Sequence, residues 1–175
     1  MNFRRQSLLT SLLALTLILP VNVYIIGDSI GAGLQFPFLR YQETYLGTNI
    51  ITILRDFDYV TSGTIGGRSA LSILLWALGT ALLVAAAGYL LYHRYDSFTT
   101  IKRPLALLTA GGAVAYLLSC VAQYGPTLHG PAGFAIPVGV PLILAVAGYV
   151  MTVEDDDESG YEEEEEYGEE MEEEQ

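Results

Sequence analysis

Ser7–Gly27 reads SLLTSLLALTLILPVNVYIIG, a run without a single charge, preceded by Arg4 and Arg5. A bilayer core about 30 Å thick is crossed by about 20 apolar residues in helical form. The run is therefore expected to be a transmembrane helix. Pro20 is expected to kink it, and Asn22 is its only strongly polar interior residue. A cleaved signal peptide would have an apolar core of about 7–15 residues and end at a small-residue site. This run is longer and lacks an A-x-A, so an uncleaved anchor is the expectation.

Three further stretches follow the same logic. Ala70–Tyr92 is uncharged and ends at His93 and Arg94. Residues 104–123 follow Lys102 and Arg103, with Pro104 suited to a first helical turn. Residues 132–153 are apolar but interrupted by Pro137 and Pro141, which is tolerated where neighbours satisfy the freed carbonyls. The expected fold class is thus an all-α membrane protein with four transmembrane helices, at about 7–27, 70–92, 104–123 and 132–153. No Asp, Glu, Lys or Arg lies inside these spans, which counts against proton-coupled transport through midplane charges. Asn22 and Gln123 are the amides in or at the edge of a span and are candidates for interhelical hydrogen bonds. Gly79, Ala81, Ala85 and Gly88, then Ala110, Gly111, Gly112 and Ala115, then Ala135 and Gly139, are small residues that let helix backbones approach.

Between the first two spans lies an outer connector, 28–69. It carries Arg40, Glu43, Arg55, Asp56, Asp58 and Arg68 among aromatic residues that favour the membrane–water boundary. Ile50, Ile53, Leu54 and Phe57 follow i, i+3, i+4, i+7 spacing, which predicts an interfacial helix, with Thr48 or Asn49 as its cap. The β-branched content of NIITIL also suits a strand. Gly63, Gly66 and Gly67 mark a turn. Arg4, Arg5, Arg94, Lys102 and Arg103 fall on one side of this arrangement, and Arg40, Arg55 and Arg68 on the other. The denser basic side is expected to be cytoplasmic, which places both termini there.

The chain of 175 residues has a net charge of −12 and a mean hydropathy of +0.39. The acidity is local. From Glu154 onward there are 15 acidic residues and no basic ones. The body carries eight basic and five acidic residues, a net of +3. Repulsion and lack of apolar side chains predict a disordered cytoplasmic tail over 154–175. Lys102 is the only lysine against seven arginines. With the acidic tail, that balance hints at a halophilic archaeon, where acidic side chains aid solubility. Cys120 is the only cysteine, so no disulfide forms within the chain.

Gly27-Asp28-Ser29-Ile30 resembles the nucleophile block of the SGNH hydrolases, in which Ser29 would be the nucleophile. That family also needs a G-x-N-D block and a D-x-x-H block, and neither occurs here. A serine without a base is a weak nucleophile. Asp28, Asp56 and Asp58 are a candidate carboxylate pair or cation site, or alternatively partners of Arg40, Arg55 and Arg68. His129 sits in a Gly/Pro turn and reads as a surface residue.

FLRYQETYLG at 38–47 and SGTIGGRSALSILLW at 62–76, with the plan of spans, connector and tail, resemble small uncharacterised multi-pass membrane proteins of haloarchaea. One such family is encoded near archaeosortase A. The resemblance implies an envelope role by association and supplies no catalytic residue. The expected function is a non-enzymatic membrane accessory or scaffold protein of the cell envelope. The alternatives are a membrane subunit of a transport assembly and an outer-face membrane enzyme. No catalytic, cofactor-binding or metal residue is assigned, and no cofactor is implied. The expected partners are the lipid bilayer and a membrane protein or second copy of the chain, not nucleic acid.

Overall fold

The computed structural model describes residues 3–27, 30–94 and 97–152. The acidic tail, Asp28 and Ser29 lie outside them. In chain order the elements are α1 (Phe3–Ile18), β1 (Asn22–Ile26), β2 (Gly31–Gln35), β3 (Leu39–Thr44), β4 (Gly47–Thr52), α2 (Ile53–Thr61), α3 (Gly67–Tyr92), α4 (Phe98–Tyr124), β5 (His129–Gly130), β6 (Gly133–Ile136) and α5 (Gly139–Thr152). The strands form one antiparallel sheet of order β4-β3-β2-β1-β6-β5. The protein is therefore not the all-α, four-span bundle that hydropathy predicts.

Among the described residues two helices are long and apolar enough to cross a membrane, α3 and α4. At 1.5 Å per residue each exceeds about 38 Å, against a bilayer core of about 30 Å. Helices α1 and α5, with 16 and 14 residues, reach only about 24 and 21 Å.

The two missing spans fail for the same reason. Each apolar run divides into a helix and a strand. In the first, Pro20 supplies no N–H and pushes Leu19 toward extended backbone, so α1 stops at Ile18. Val23, Ile25 and Ile26 are β-branched and continue as β1, paired to β2 on one side and β6 on the other. In the last, Gly133 has φ +116°, and a Cβ there would lie 1.8 Å from the Ile25 carbonyl oxygen. That close approach admits only glycine and starts β6. Pro137 separates β6 from α5, and Pro141 occupies the first turn of α5, where its absent N–H costs nothing. Helix α4 begins at Phe98 rather than at Pro104, so Pro104 lies inside it.

The four longer helices pack as a bundle in which α3 contacts α1 and α4, and α5 contacts α4 and α1. Two apolar clusters fill it. One joins Leu9 and Leu13 of α1, Leu90 of α3, Phe98 and Ile101 of α4 and Val150 of α5. It lies where α3 turns into α4, together with the start of α1 and the end of α5. The other joins Trp76, Leu83, Tyr116 and Ile143 beside the sheet. Between them α3 and α4 meet at two glycines. A Cβ on Gly112 would lie 3.0 Å from Leu83, and one on Gly79 would lie 3.1 Å from the Gly112 carbonyl oxygen. Ala81, Ala85 and Gly88 instead face outward.

The connector holds three strands' worth of sheet before its helix. Residues 47–52, including Ile50, form β4, and the helix runs over Ile53–Thr61 with Thr52 as its cap. Thr52 Oγ1 accepts from the Arg55 N–H at 3.4 Å. Leu54 points outward, and the buried residue of α2 is Asp56. Ile53 packs against the Trp76 cluster and Phe57 is half-buried, so the apolar face drawn from periodicity is covered only in part, and the one fully buried side chain of this helix is acidic.

Candidate functional site

Strand periodicity places alternate side chains on one face, and cross-strand register aligns them into rows. Asn22 of β1 pairs with Gln35 of β2, and Gln35 pairs with Arg40 of β3. Tyr24 pairs with Gly33, and Gly33 with Gln42. The face of the sheet turned toward the helices is consequently polar. Gly33 makes this geometry workable: a Cβ there would lie 2.4 Å from the Tyr24 ring, so the phenol lies across the glycine. The Tyr24 hydroxyl reaches Gln42 Oε1 at 3.5 Å. Burial pushes the Tyr24 phenol up, against the lowering effect of Arg40, which keeps it a hydrogen-bond donor.

Opposite this face stands α2. Arg40 Nη2 donates to Asp56 Oδ1 at 2.6 Å, a charge-assisted bond joining sheet to helix. Asp56 is 0% exposed. Its pKa is raised by burial, which opposes ionisation, while the Arg40 charge and hydrogen bond draw it back down. Here the alternative of carboxylates paired with arginine is realised for Asp56. Asp58 is exposed, and the Asp28 of the proposed cluster lies outside the described residues. Arg55 donates to the Tyr59 hydroxyl, and Arg68 to the Ala122 carbonyl.

The floor is formed by α3 and α4. Ser72 and Ser119 each donate to the other's backbone carbonyl, at 2.9 and 2.8 Å. Trp76 Nε1 donates to the Phe36 carbonyl at 2.9 Å, and the Thr80 hydroxyl to the Pro37 carbonyl at 2.6 Å. These two bonds bolt the β2–β3 turn onto α3.

Together these elements enclose a partly open pocket of about 220 Å³ between sheet and bundle. Asn22, Tyr24, Arg40, Asp56, Trp76 and Tyr124 are among its walls, and Gln123 and Cys120 also line it. Among the described residues, three buried side-chain polar atoms have no hydrogen-bond partner: Asn22 Oδ1, Arg40 Nε and Asp56 Oδ2. All three belong to residues of this one pocket. Such orphans are rare in folded proteins and costly in a dry interior.

The sequence expectation treated Asn22 and Gln123 as amides between spans. They instead meet at this pocket, Asn22 from a strand. Cys120 is a buried neighbour without a partner thiol. His129 is exposed, its ring 6.4 Å from that of Phe134. Among the described residues no group of three His, Cys, Asp or Glu side chains is placed to hold a metal ion. The missed signal was local, an Asn22-x-Tyr24 alternation inside an apolar run.

At the far edge of the sheet, β4 pairs only with β3 among the described residues. It carries no charge and no proline. The β3–β4 turn is pinned by the Thr44 hydroxyl, which accepts from the Leu46 N–H and donates to the Gly47 carbonyl. Its two central residues, Tyr45 and Leu46, are 79% and 80% exposed, and Ile50 is 61% exposed.

No protein-family model matches this chain, and comparison with curated proteins and with solved structures finds no match.

Proposed function

We propose that the protein is a non-enzymatic membrane accessory protein that holds a β-sheet at the membrane surface as a docking platform for a protein partner. The reading places α3 and α4 across the bilayer, with α1 and α5 packed beside them. The end of the bundle where α3 turns into α4 lies in the cytoplasm, because Arg94, Lys102 and Arg103 flank that turn. Both termini then face the cytoplasm and the sheet faces outward.

One observation carries the proposal: the unprotected β4 edge. Sheets normally shield an edge strand with charge, proline or a covering element, since its open N–H and C=O groups template pairing with another chain. Here the edge is uncharged and bears exposed Ile50 beside the Tyr45–Leu46 tip. Strand addition supplies main-chain hydrogen bonds for affinity and side-chain pockets for specificity.

The test is affinity purification of the full chain in mild detergent from native membranes, followed by identification of co-purifying proteins. Ile50→Lys adds an edge charge at an exposed site. It is expected to abolish capture of the partner while leaving the melting temperature unchanged. Absence of a stoichiometric partner for the unmodified chain, or equal capture by Ile50→Lys, would overturn the docking role.

A further inference from the structure

The pocket under the sheet carries a second, independent assignment. We propose that it is a binding site for a small neutral polyhydroxylated molecule, a polyol or monosaccharide. Its three orphan atoms define the chemistry. Asp56 Oδ2 and Asn22 Oδ1 each lack a donor, and Arg40 Nε–H lacks an acceptor. A hydroxyl group donates one hydrogen and accepts others. One ligand hydroxyl donates to Asp56 Oδ2 while another oxygen accepts from Arg40 Nε, and a further hydroxyl donates to Asn22 Oδ1.

Charge balance selects a neutral ligand. Arg40 and Asp56 already neutralise one another at 2.6 Å. A cationic or anionic ligand would bring an uncompensated charge into a site where Asp56 is wholly buried, at a large desolvation cost. Size agrees as well. A volume of about 220 Å³ falls below the range of about 300–1,000 Å³ typical of drug-sized ligands. The walls also suit an amphipathic ring. Tyr124, half-buried, offers aromatic surface to the C–H face of a sugar, backed by the buried Tyr24 and Trp76, while the polar row meets its hydroxyls. Trp76 is 1% exposed and its Nε1 is already engaged by the Phe36 carbonyl, so it backs the wall and offers no donor. A ligand of about a dozen heavy atoms held this way binds with a Kd on the order of millimolar.

The experiment uses the full chain in a zwitterionic detergent without a sugar headgroup. Trp76 is the only tryptophan and lines the pocket, so intrinsic fluorescence reports occupancy directly. The probes are myo-inositol and glucose, with trimethylammonium and succinate as charged comparators. Saturable fluorescence change and a saturable rise in melting temperature are expected with the neutral probes only. Exclusion of polyols from protein surfaces also stabilises folds, but it grows with concentration without saturating. Asp56→Asn replaces the free acceptor by a donor and keeps an oxygen for Arg40, and it is expected to weaken binding at least tenfold. Ser69→Tyr, at the half-buried rim, obstructs the pocket without touching the orphan atoms and is expected to abolish saturation. Non-saturating responses in the unmodified chain would overturn the assignment, as would binding of a charged probe in place of the neutral ones. Affinity unchanged in Ser69→Tyr would do the same, whether or not Asp56→Asn folds.

Discussion

Replacing Arg40 by methionine removes the charge opposite Asp56 while keeping most of the side chain's bulk. Asp56 is 0% exposed, and its ion-pair partner among the described residues is Arg40, itself 26% exposed. Stripping one partner from a buried pair leaves the other charge uncompensated, a loss of about 3–5 kcal/mol. For a domain of this size that is about 6–20 °C in melting temperature. The pH dependence follows from the direction of the Asp56 shift. Burial raises its folded-state pKa above that of the unfolded carboxylate, so the folded state binds its proton more tightly. Its contribution to stability is fully present below the unfolded pKa and is lost as pH rises through the folded pKa. Arg40 limits that loss, because its charge and hydrogen bond lower the folded-state value. Arg40→Met should therefore be much less stable than the unmodified chain at pH 8 and closer to it at pH 5. Arg40→Met combined with Asp56→Leu should recover most of the deficit, since an apolar pair replaces a buried ion pair at little net cost. Thermal melting in mild detergent at both pH values measures all three proteins. A deficit below about 1 kcal/mol at pH 8, or one that is the same at pH 5, would refute the reasoning.

Two further outcomes test the bundle and its placement. Gly112→Leu should cost about 1–3 kcal/mol by overpacking against Leu83, whereas Gly88→Leu, with nothing within 4 Å of its added Cβ, should melt no lower than the unmodified chain. Equal melting of the two variants would show that the glycine crossing of α3 and α4 does not hold the bundle. Topology reporters placed at Asn49 and after Thr152 should report opposite sides of the membrane, and the same side for both would remove the proposed orientation.

Helices α3 and α4 were legible because each is one long uncharged run, and length separates a crossing helix from a strand. The sheet was not, because hydropathy counts apolar residues without distinguishing the backbone that carries them. Ser7–Gly27 contains a helix and a strand of equal greasiness, and only Pro20 with the β-branched residues after it marks the boundary. Pro20 reads as a kink if the run is assumed to be one element. Gly133 and Pro137 carried the same message before α5. In the connector, the helical spacing from Ile50 straddled a strand and a helix, and the NIITIL composition that suits a strand was the better guide for residues 47–52. Arg40 and Asp56 were legible as charges that could pair. Their convergence with Asn22 was not, since it depends on the register of β1, β2 and β3 and on where α2 docks.

Two neighbouring interior strands of the sheet, β1 and β6, come from distant parts of the chain, with Val23 facing Ile136. During synthesis β1 through β4 are complete long before β6 exists. The inner edge of β1 then stays open while α3 and α4 are made, and only the last described segment closes it. A ribosome stalled before Gly133 would therefore hold a sheet with two adhesive edges, β1 and β4, so the order of manufacture makes the C-terminal segment the protein's own protection against mispairing with neighbouring nascent chains.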